Sequence, residues 1–418
     1  GGGRHPVGGM DMDYQLSYSY ADQFTPSDQQ TVFLQEFDDD RVQFDRSDPD
    51  YPRWNIDGTG QDLYYQYSQF EFDEYENSSE LTNDQHFTSR INFVTPYSLG
   101  DMRGEFKFGG LFRDKTKMRD PDIEIYGYEG NIGFSDVRGG FEDEEYLFDE
   151  YEIGVFPDPD EVHQIFENNP NDFVLDEESS IEDSKAEEYE AGETTTAGYA
   201  MTKLVKGKLS SIIGARFENI TTDYFGHTVE FDANGDLLPV RDLEEDNQFD
   251  FLLPMIHLNY RPTQITNLRF AWTNTFAKPN YFDLAPYRII VREDEEIELG
   301  NPDLDATTAM NFDLMGEYYL SSVGLLSAGV FYKDITDFIY ISNFNYDDPA
   351  DLYDGYEATQ PVNGDAAQVA GIELNIQQQL TFLPGWLSGL GVYANYTYTW
   401  SEAEIQVEEG ITRTVTLP

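Results

Sequence analysis

Two neighbouring segments, MNFDLMGEYYL at 310–320 and GLLSAGVFYKDITDFIY at 324–340, alternate in character with a period of two and are joined by SSVG at 321–324. Met310, Phe312, Leu314, Gly316 and Tyr318 fall on one side of an extended chain, and Asn311, Asp313, Met315, Glu317 and Tyr319 on the other. In the second segment Leu326, Ala328, Val330 and Tyr332 oppose Ser327, Gly329 and Lys333, with Leu325 and Phe331 as exceptions. So short a connection makes the pair a hairpin with one apolar and one polar face. The apolar face needs an apolar medium. Either it is the core of a soluble sandwich, or it is the lipid side of an outer-membrane barrel whose polar side chains line the lumen.

The pattern recurs. Leu252, Pro254, Ile256, Leu258 and Tyr260 oppose Met255, His257 and Asn259; Leu268, Phe270, Trp272 and Phe276 oppose Asn267, Arg269, Thr273 and Thr275. Ile372, Leu374, Ile376 and Leu380 oppose Glu373, Asn375, Gln377 and Gln379, and Val392, Ala394, Tyr396 and Tyr398 oppose Tyr393, Asn395 and Thr397. A glutamate with three amides on one face reads as a watery lumen, or as the solvent face of a two-sheet protein. Candidate strands lie near 12–20, 31–37, 62–72, 86–95, 104–112, 199–205, 209–217, 251–260, 267–276, 310–319, 325–333, 370–380 and 389–399. Short turns at 206–208, 261–266, 321–324 and 383–388 alternate with long acidic connections at 218–250, 277–309 and 334–369, preceded by 113–198. That asymmetry is what an outer-membrane barrel has, with short turns inside and long loops outside. Successive long loops are uncommon in a soluble sandwich. Aromatic residues gather near strand ends, among them Tyr318, Tyr319, Phe331, Tyr332, Phe338, Tyr340, Tyr393, Tyr396 and Tyr398, where rings with a polar handle suit a membrane interface.

Composition closes other routes. The chain has 25 basic and 81 acidic residues, a formal charge of -56, which repels nucleic acid and anionic lipid. Its 29 Tyr and 30 Phe separate it from a disordered polyanion. No cysteine is present, so disulfides, thiol nucleophiles and thiolate metal sites are excluded. No apolar run reaches the roughly 20 residues of a spanning helix, so a membrane would be crossed by strands. GGGRHPVGGMDMDY has no basic region followed by an apolar one, which leaves an intracellular chain or one that does not begin where its gene begins.

Longer stretches carry a family likeness. AWTNTFAKPNYFDLAPY at 271–287, LGNPDLDATTAMNFDLMGEYYL at 299–320, GVFYKDITDFIY at 329–340, NGDAAQVAGIELNIQQQLTFLPG at 363–385 and GLGVYANYTYT at 389–399 resemble the β-barrel of TonB-dependent outer-membrane receptors. The likeness is dense from about 199 onward and looser in 84–115, the region of NFVTPYSLGDMRGEFKFGGLFRDKTK. The resemblance implies an all-β, transmembrane antiparallel barrel of about 22 strands around a plug domain. It also implies an outer-membrane location and import of a scarce nutrient driven by the TonB–ExbB–ExbD complex through an N-terminal box. Neither plug nor box is found before residue 12, and TRTVTLP lacks the closing strand of such barrels. The chain is therefore expected to be an internal piece, with earlier strands in 1–198, later strands in 199–418, and two unpaired edges.

Within that reading, Arg269, Asp313, Glu317 and Glu373 face the lumen as candidate plug contacts. Trp272, Tyr281, Phe282 and Tyr287 are candidate ligand-stacking or interfacial aromatics. Pro279, Asn280, Pro286 and NPDL at 301–304 read as turn signals. Gly364 suits a turn with positive φ, and Gly371 a bulge or a close strand approach. Acidic clusters at 38–41, Asp158–Glu161, 244–250 and 292–296 offer oxygen ligands for calcium, but none has a regular calcium-loop spacing, and DANGDL at 232–237 matches one only in part. The five histidines are scattered and no nucleotide-binding or zinc-hydrolase motif occurs, so no intrinsic enzyme and no bound cofactor are expected. Partners are expected to be outer-membrane lipid and a small nutrient, an oligosaccharide or a metal chelate such as a siderophore, with no nucleic acid. Acidic loops favour neutral oligosaccharides or cationic complexes over anionic chelates, unless a local basic patch reverses the balance. A passive channel or a soluble all-β glycan-binding module remains the alternative.

Overall fold

The structure is a computed structural model of the 418-residue chain. It describes residues 1–35, 42–47, 52–56, 67–140, 143–145, 151–232, 236–291, 295–320, 324–349, 351–408 and 411–416. The strands are β1 (Gly2–Val7), β2 (Met10–Leu34), β3 (Val42–Asp45), β4 (Arg53–Ile56), β5 (Glu71–Leu99), β6 (Met102–Tyr128), β7 (Asp143–Glu145), β8 (Tyr151–Ile153), β9 (Phe173–Asp176), β10 (Tyr189–Lys206), β11 (Leu209–Thr228), β12 (Arg241–Thr263), β13 (Thr266–Ala277), β14 (Arg288–Val291), β15 (Glu296–Leu299), β16 (Thr307–Leu320), β17 (Gly324–Asn345), β18 (Glu357–Gln379), β19 (Gly391–Glu408) and β20 (Ile411–Val415). The main sheet runs β1-β2-β5-β6-β10-β11-β12-β13-β16-β17-β18-β19-β20, an up-and-down meander in which β9, β14 and β15 join from the connections.

The chain forms two compact units. The first comprises residues 1–22, 82–119 and 188–418. Its registers show why alternation specifies the sheet. Glu317 lies opposite Asn267 and Ser327, Gly329 opposite Met315 and Glu373, and Glu373 opposite Thr397, so polar positions share one face across successive strands. The other face carries Ile213, Phe217, Leu252, Leu268, Leu314, Val330, Ile372 and Tyr396, all exposed, with Leu252 at 69%. A contiguous exposed apolar face on this scale is unsuited to water and is the surface a bilayer covers. On β12 it runs from Leu252 to Tyr260, close to the roughly 9–11 residues a tilted strand needs to cross.

The strands continue far beyond that band. β5 has 29 residues and β6 has 27. The connections read from sequence as 113–198, 218–250 and 334–369 are therefore shorter than expected. β6 runs to Tyr128, β11 to Thr228 and β17 to Asn345, while β12 starts at Arg241 and β18 at Glu357. Candidate 12–20 and residues 31–34 of candidate 31–37 are parts of the single strand β2, and residues 36–37 lie outside the described residues. Outside the membrane a ladder needs only its backbone hydrogen bonds, so loss of apolar alternation marks the end of the bilayer and not the end of the strand. The turns at Gly207, with φ of 56°, and at 264–265 occur as expected. Residues 321–323 of the SSVG turn lie outside the described residues.

Gly364 departs from its expected role. It sits inside β18 opposite Phe338 with no positive φ, and a Cβ there would meet the Phe338 ring at 2.3 Å. Gly371 likewise leaves room for Phe331, whose ring atom would stand 2.4 Å from an added Cβ. The left-handed residue is instead Asp337, φ 56°, whose carbonyl accepts from Thr307 Oγ1 at 3.0 Å and Asn363 Nδ2 at 2.9 Å.

The second unit comprises residues 23–81 and 120–187. Phe72, Tyr75, Val137, Val162 and Phe173 form its core with Phe166 and Tyr128. The candidate calcium run Asp158–Glu161 opens the helix Pro159–Asn168, where the Asp158 carboxylate accepts from the amides of Asp160 and Glu161 at 3.0 and 3.3 Å. Asp176 does the same for the helix Glu177–Glu187, accepting from Glu178 and Ser179. Residues 244–250 lie on β12. Residues 38–41, 292–294 and 233–235 of the other acidic runs lie outside the described residues, and among the described residues no group of three His, Asp or Glu could hold a metal ion.

Candidate functional site

The connection between β13 and β16, expected to be a wet loop, is folded into the first unit. Leu284, Ala285, Tyr287 and Leu304 are buried against Tyr189, Ala191 and Tyr224 of β10 and β11. Ile290 of β14 and Ile297 of β15 pack with Tyr353 and Ala358 in an adjoining cluster. β14 touches β11 at Thr228, and β15 pairs with β18 at Glu357–Thr359, so the connection bridges two strands that are not neighbours in the sheet. Its turns hold as the sequence suggests. Asn301 accepts from the Asp303 amide at 3.1 Å in an Asx turn, and its Nδ2 donates to the Pro361 carbonyl at 2.9 Å. Arg288 fixes the far end, donating to Asp351 at 2.8 Å and Glu230 at 3.3 Å while its guanidinium lies 5.2 Å from the rings of Tyr346 and Tyr353. Burial acts to raise the Asp351 carboxyl, but the Arg288 hydrogen bond and charge, with hydrogen bonds from the Tyr353 amide and the Tyr346 hydroxyl, prevail and hold it below the usual range.

Where this connection leaves β13, a charged cluster forms on the polar face. Glu193 of β10 is buried, and its carboxylate accepts from Lys278 Nζ, from Tyr281 Oη at 3.0 Å and from Thr195 Oγ1 at 3.2 Å. Glu193 lies fourteen residues from the Gly207 turn, beyond the bilayer band. Desolvation pushes its carboxyl upward, yet Lys278 and the two hydroxyls outweigh this and leave it below the ordinary value of 4.5. The Tyr281 hydroxyl moves upward through burial and the neighbouring Glu193 charge, and burial pushes that of Tyr224 up to about 12.

Two further cations reach the same ring. Lys115 Nζ lies 5.1 Å from the centre of Tyr281 and 3.0 Å from Asp84, and Lys117 Nζ lies 5.8 Å from Tyr281 and 6.0 Å from Tyr189. With Lys278 at 5.7 Å, three ammonium groups surround one phenol in a chain of strongly negative net charge. Sequence reading missed Lys115, Lys117, Glu193 and Lys278. The signal is present in RDKTKMR at 113–119, where the basic residues occupy alternate positions, but a polar stretch that opens a long acidic segment has the look of a loop.

A second polar cluster sits near the short-turn end of the same face. Glu317 accepts from Asn267 Nδ2 at 2.9 Å, Arg269 at 3.1 Å and Tyr319 Oη at 2.9 Å. Two of the sequence-selected residues, Arg269 and Glu317, are thus brought together. Asp313 lies opposite Ala271 and Phe331, apart from that cluster, and Glu373 lies over Gly329; neither makes an ion pair among the described residues. The aromatic candidates separate in the same way. Phe282 stacks on Tyr287 with centroids 4.4 Å apart, and the Tyr287 hydroxyl donates to Glu298 at 3.0 Å, while Tyr281 belongs to the Glu193 cluster. Trp272 lies opposite Ile256 and Phe312 on the apolar face, away from all three.

The geometry is that of a barrel wall with a folded connection on its polar side, and comparison with known proteins agrees. The profile of the family described as TonB dependent receptor-like, beta-barrel, matches residues 1–417. The chain belongs to the TonB-dependent receptor β-barrel family. A solved structure similar to this barrel is the ferric-catecholate import receptor Fiu of E. coli K12 in its closed form, at 13% identity and a TM-score of 0.51, covering 95% of this chain and 45% of that one. The siderophore receptor PiuA of Acinetobacter baumannii is similar at 10% identity and a TM-score of 0.41, covering 94% and 47%. The chain thus spans about half the length of these receptors. No curated protein matches the sequence. As a TonB-dependent receptor barrel, the chain is a transmembrane β-domain of the outer membrane, its exposed apolar face turned to lipid.

Proposed function

We propose that this barrel belongs to an active-transport receptor that binds a scarce nutrient outside the cell and imports it with energy delivered by the TonB–ExbB–ExbD complex. The observation that carries the reading is the connection 278–306, which lies packed on the polar face as a folded element of the outer half instead of extending into solvent. A receptor needs rigid outer walls to present binding groups, and a packed connection of this kind supplies one. The nutrient class is a small ligand, an oligosaccharide or a metal chelate.

Arg269, Asp313, Glu317 and Glu373 supply plug-facing polar groups in this proposal. Their common face and the Glu317 hydrogen bonds support it. The test is uptake of labelled nutrient by cells carrying the full-length receptor, before and after collapse of the proton-motive force. Uptake that stops supports energised import, and uptake that continues unchanged identifies a passive channel. Glu373→Leu checks the plug contact separately: slower uptake at unchanged barrel stability is expected, and unaltered uptake removes Glu373 from that role.

A further inference from the structure

Between Glu373 and Glu402 the chain carries no Asp, Glu, Lys, Arg or His, although charged residues make up 25% of it and about seven would fall in a stretch of that length. The stretch forms the end of the β18–β19 hairpin, and its connection 380–390 lies on the short-turn side. Other short turns, at 100–101, 207–208 and 264–265, are two residues long and carry or adjoin charge at Asp101, Lys208 and Arg261. The 380–390 connection is longer and has a fixed shape. The Leu380 amide donates to the Leu390 carbonyl at 2.8 Å, one pair beyond Gln379 and Gly391, and the Leu383 amide donates to the Leu380 carbonyl at 3.0 Å. Gly385 then takes a φ of 62° and opens a 3-10 turn to Gly389, where Ser388 Oγ donates to the Gly385 carbonyl at 2.8 Å.

The register puts Leu380 and Leu390 on the lipid side of the wall, in line with Ile376, Val392 and Ala394. Gln378, the polar residue in that line, turns its amide back to the Gln379 carbonyl at 2.6 Å. Beyond them stand Trp386 and Phe382, the most exposed large hydrophobic residues described, at 83% and 75%. Rings as bare as these leave on the order of 300 Å² of apolar surface in the open. A single exposed leucine needs no partner, but a charge-free patch of this size does. Its partner follows from what it adjoins, because it continues the apolar face that the bilayer covers, at the edge where rings with a polar handle suit the headgroup boundary.

We propose that the 380–390 connection is an interfacial foot, with Phe382, Trp386 and Leu390 seated between the headgroups and acyl chains of the phospholipid leaflet on the short-turn side. The inference rests on the place of the barrel in the membrane and not on the import reading. Without charge, the foot is held by apolar transfer alone, so its seat is indifferent to headgroup charge and to salt.

The experiment places the full-length receptor in nanodiscs, which leave both faces open to water, and takes the fluorescence of Trp386 as the difference between the native protein and Trp386→Phe. The quenchers are phosphatidylcholine brominated near the glycerol end of its acyl chains and aqueous iodide. Trp386 emission that is blue-shifted, largely lost to the brominated lipid and untouched by iodide supports the foot, and the same loss is expected when anionic phospholipid is added. Quenching by iodide but not by brominated lipid places the connection in water, and quenching by neither places it against protein; either overturns the proposal. Quenching by lipid only when anionic headgroups are present overturns the charge-free seat. Heat-modifiable migration confirms that Trp386→Phe is a folded barrel.

Discussion

Replacing Leu304 with alanine tests whether the connection 278–306 is held by its core. Leu304 is fully buried among Leu284, Ala285, Tyr287, Tyr189 and Tyr224. Removing its three outer carbons forfeits about 0.8 kcal/mol each in transfer free energy, roughly 2.4 kcal/mol, before the cavity contributes. Leucine-to-alanine changes in packed cores cost about 2.7–5 kcal/mol in total. Because about 1.4 kcal/mol is a factor of ten, the open population of the connection should rise by roughly 10²-fold to a few thousandfold. Hydrogen exchange reads this directly. The Gly300 amide, bonded to the Tyr287 carbonyl at 3.1 Å, and the Ala285 amide, bonded to Tyr281 at 3.0 Å, should lose that much protection, while the β17–β18 ladder keeps its own. Unchanged exchange at Gly300 and Ala285 would refute the argument that this core holds the connection. Equal loss in β17 and β18 would show that it does not open as a separate unit.

Arg288→Met removes the only cation that contacts both Glu230 and Asp351 among the described residues, and should weaken the seating of 346–356 by about 1.5–3 kcal/mol, seen as faster proteolysis there with unchanged cleavage at the short turns. Glu193 makes the connection sensitive to acid. Its carboxyl is depressed, so its stabilisation is complete above about pH 4.5 and disappears as pH falls through the lower folded-state value. Exchange protection of 278–287 should fall in that acid range in the native protein, and Glu193→Gln should remove that pH response. Gly364→Ala drives a methyl into the Phe338 ring and should cost about 1–3 kcal/mol in urea unfolding of the folded barrel, yet be nearly neutral when Phe338 is already alanine; additive effects would show that ring and glycine do not meet.

How far the sequence could be read depended on what enforces each feature. In the bilayer band, lipid on one side and water on the other impose a period of two, so β12, β13, β16, β17, β18 and β19 were legible in their apolar cores and in which face each residue takes. Outer strand extensions escaped because hydrogen-bonded pairing there places no demand on side chains, and an Asp-rich strand looks like an Asp-rich loop. The NPDL turn and the Gly207 turn were legible because they are local.

What the 278–306 connection does was not local. Leu284, Tyr287 and Leu304 find Tyr189 and Tyr224 across long stretches of chain, and nothing in their spacing names those partners. The Glu193 cluster has the same origin, since Lys115, Glu193 and Lys278 come from three separate elements. By itself the sequence determined the fold class, the two faces of the wall and the family, because periodicity and motif order are properties of one strand or hairpin at a time. Only the tertiary structure decided that Lys115, Lys117 and Lys278 gather around one phenol in an acidic protein, because that depends on which strands register side by side and where a distant connection comes to rest.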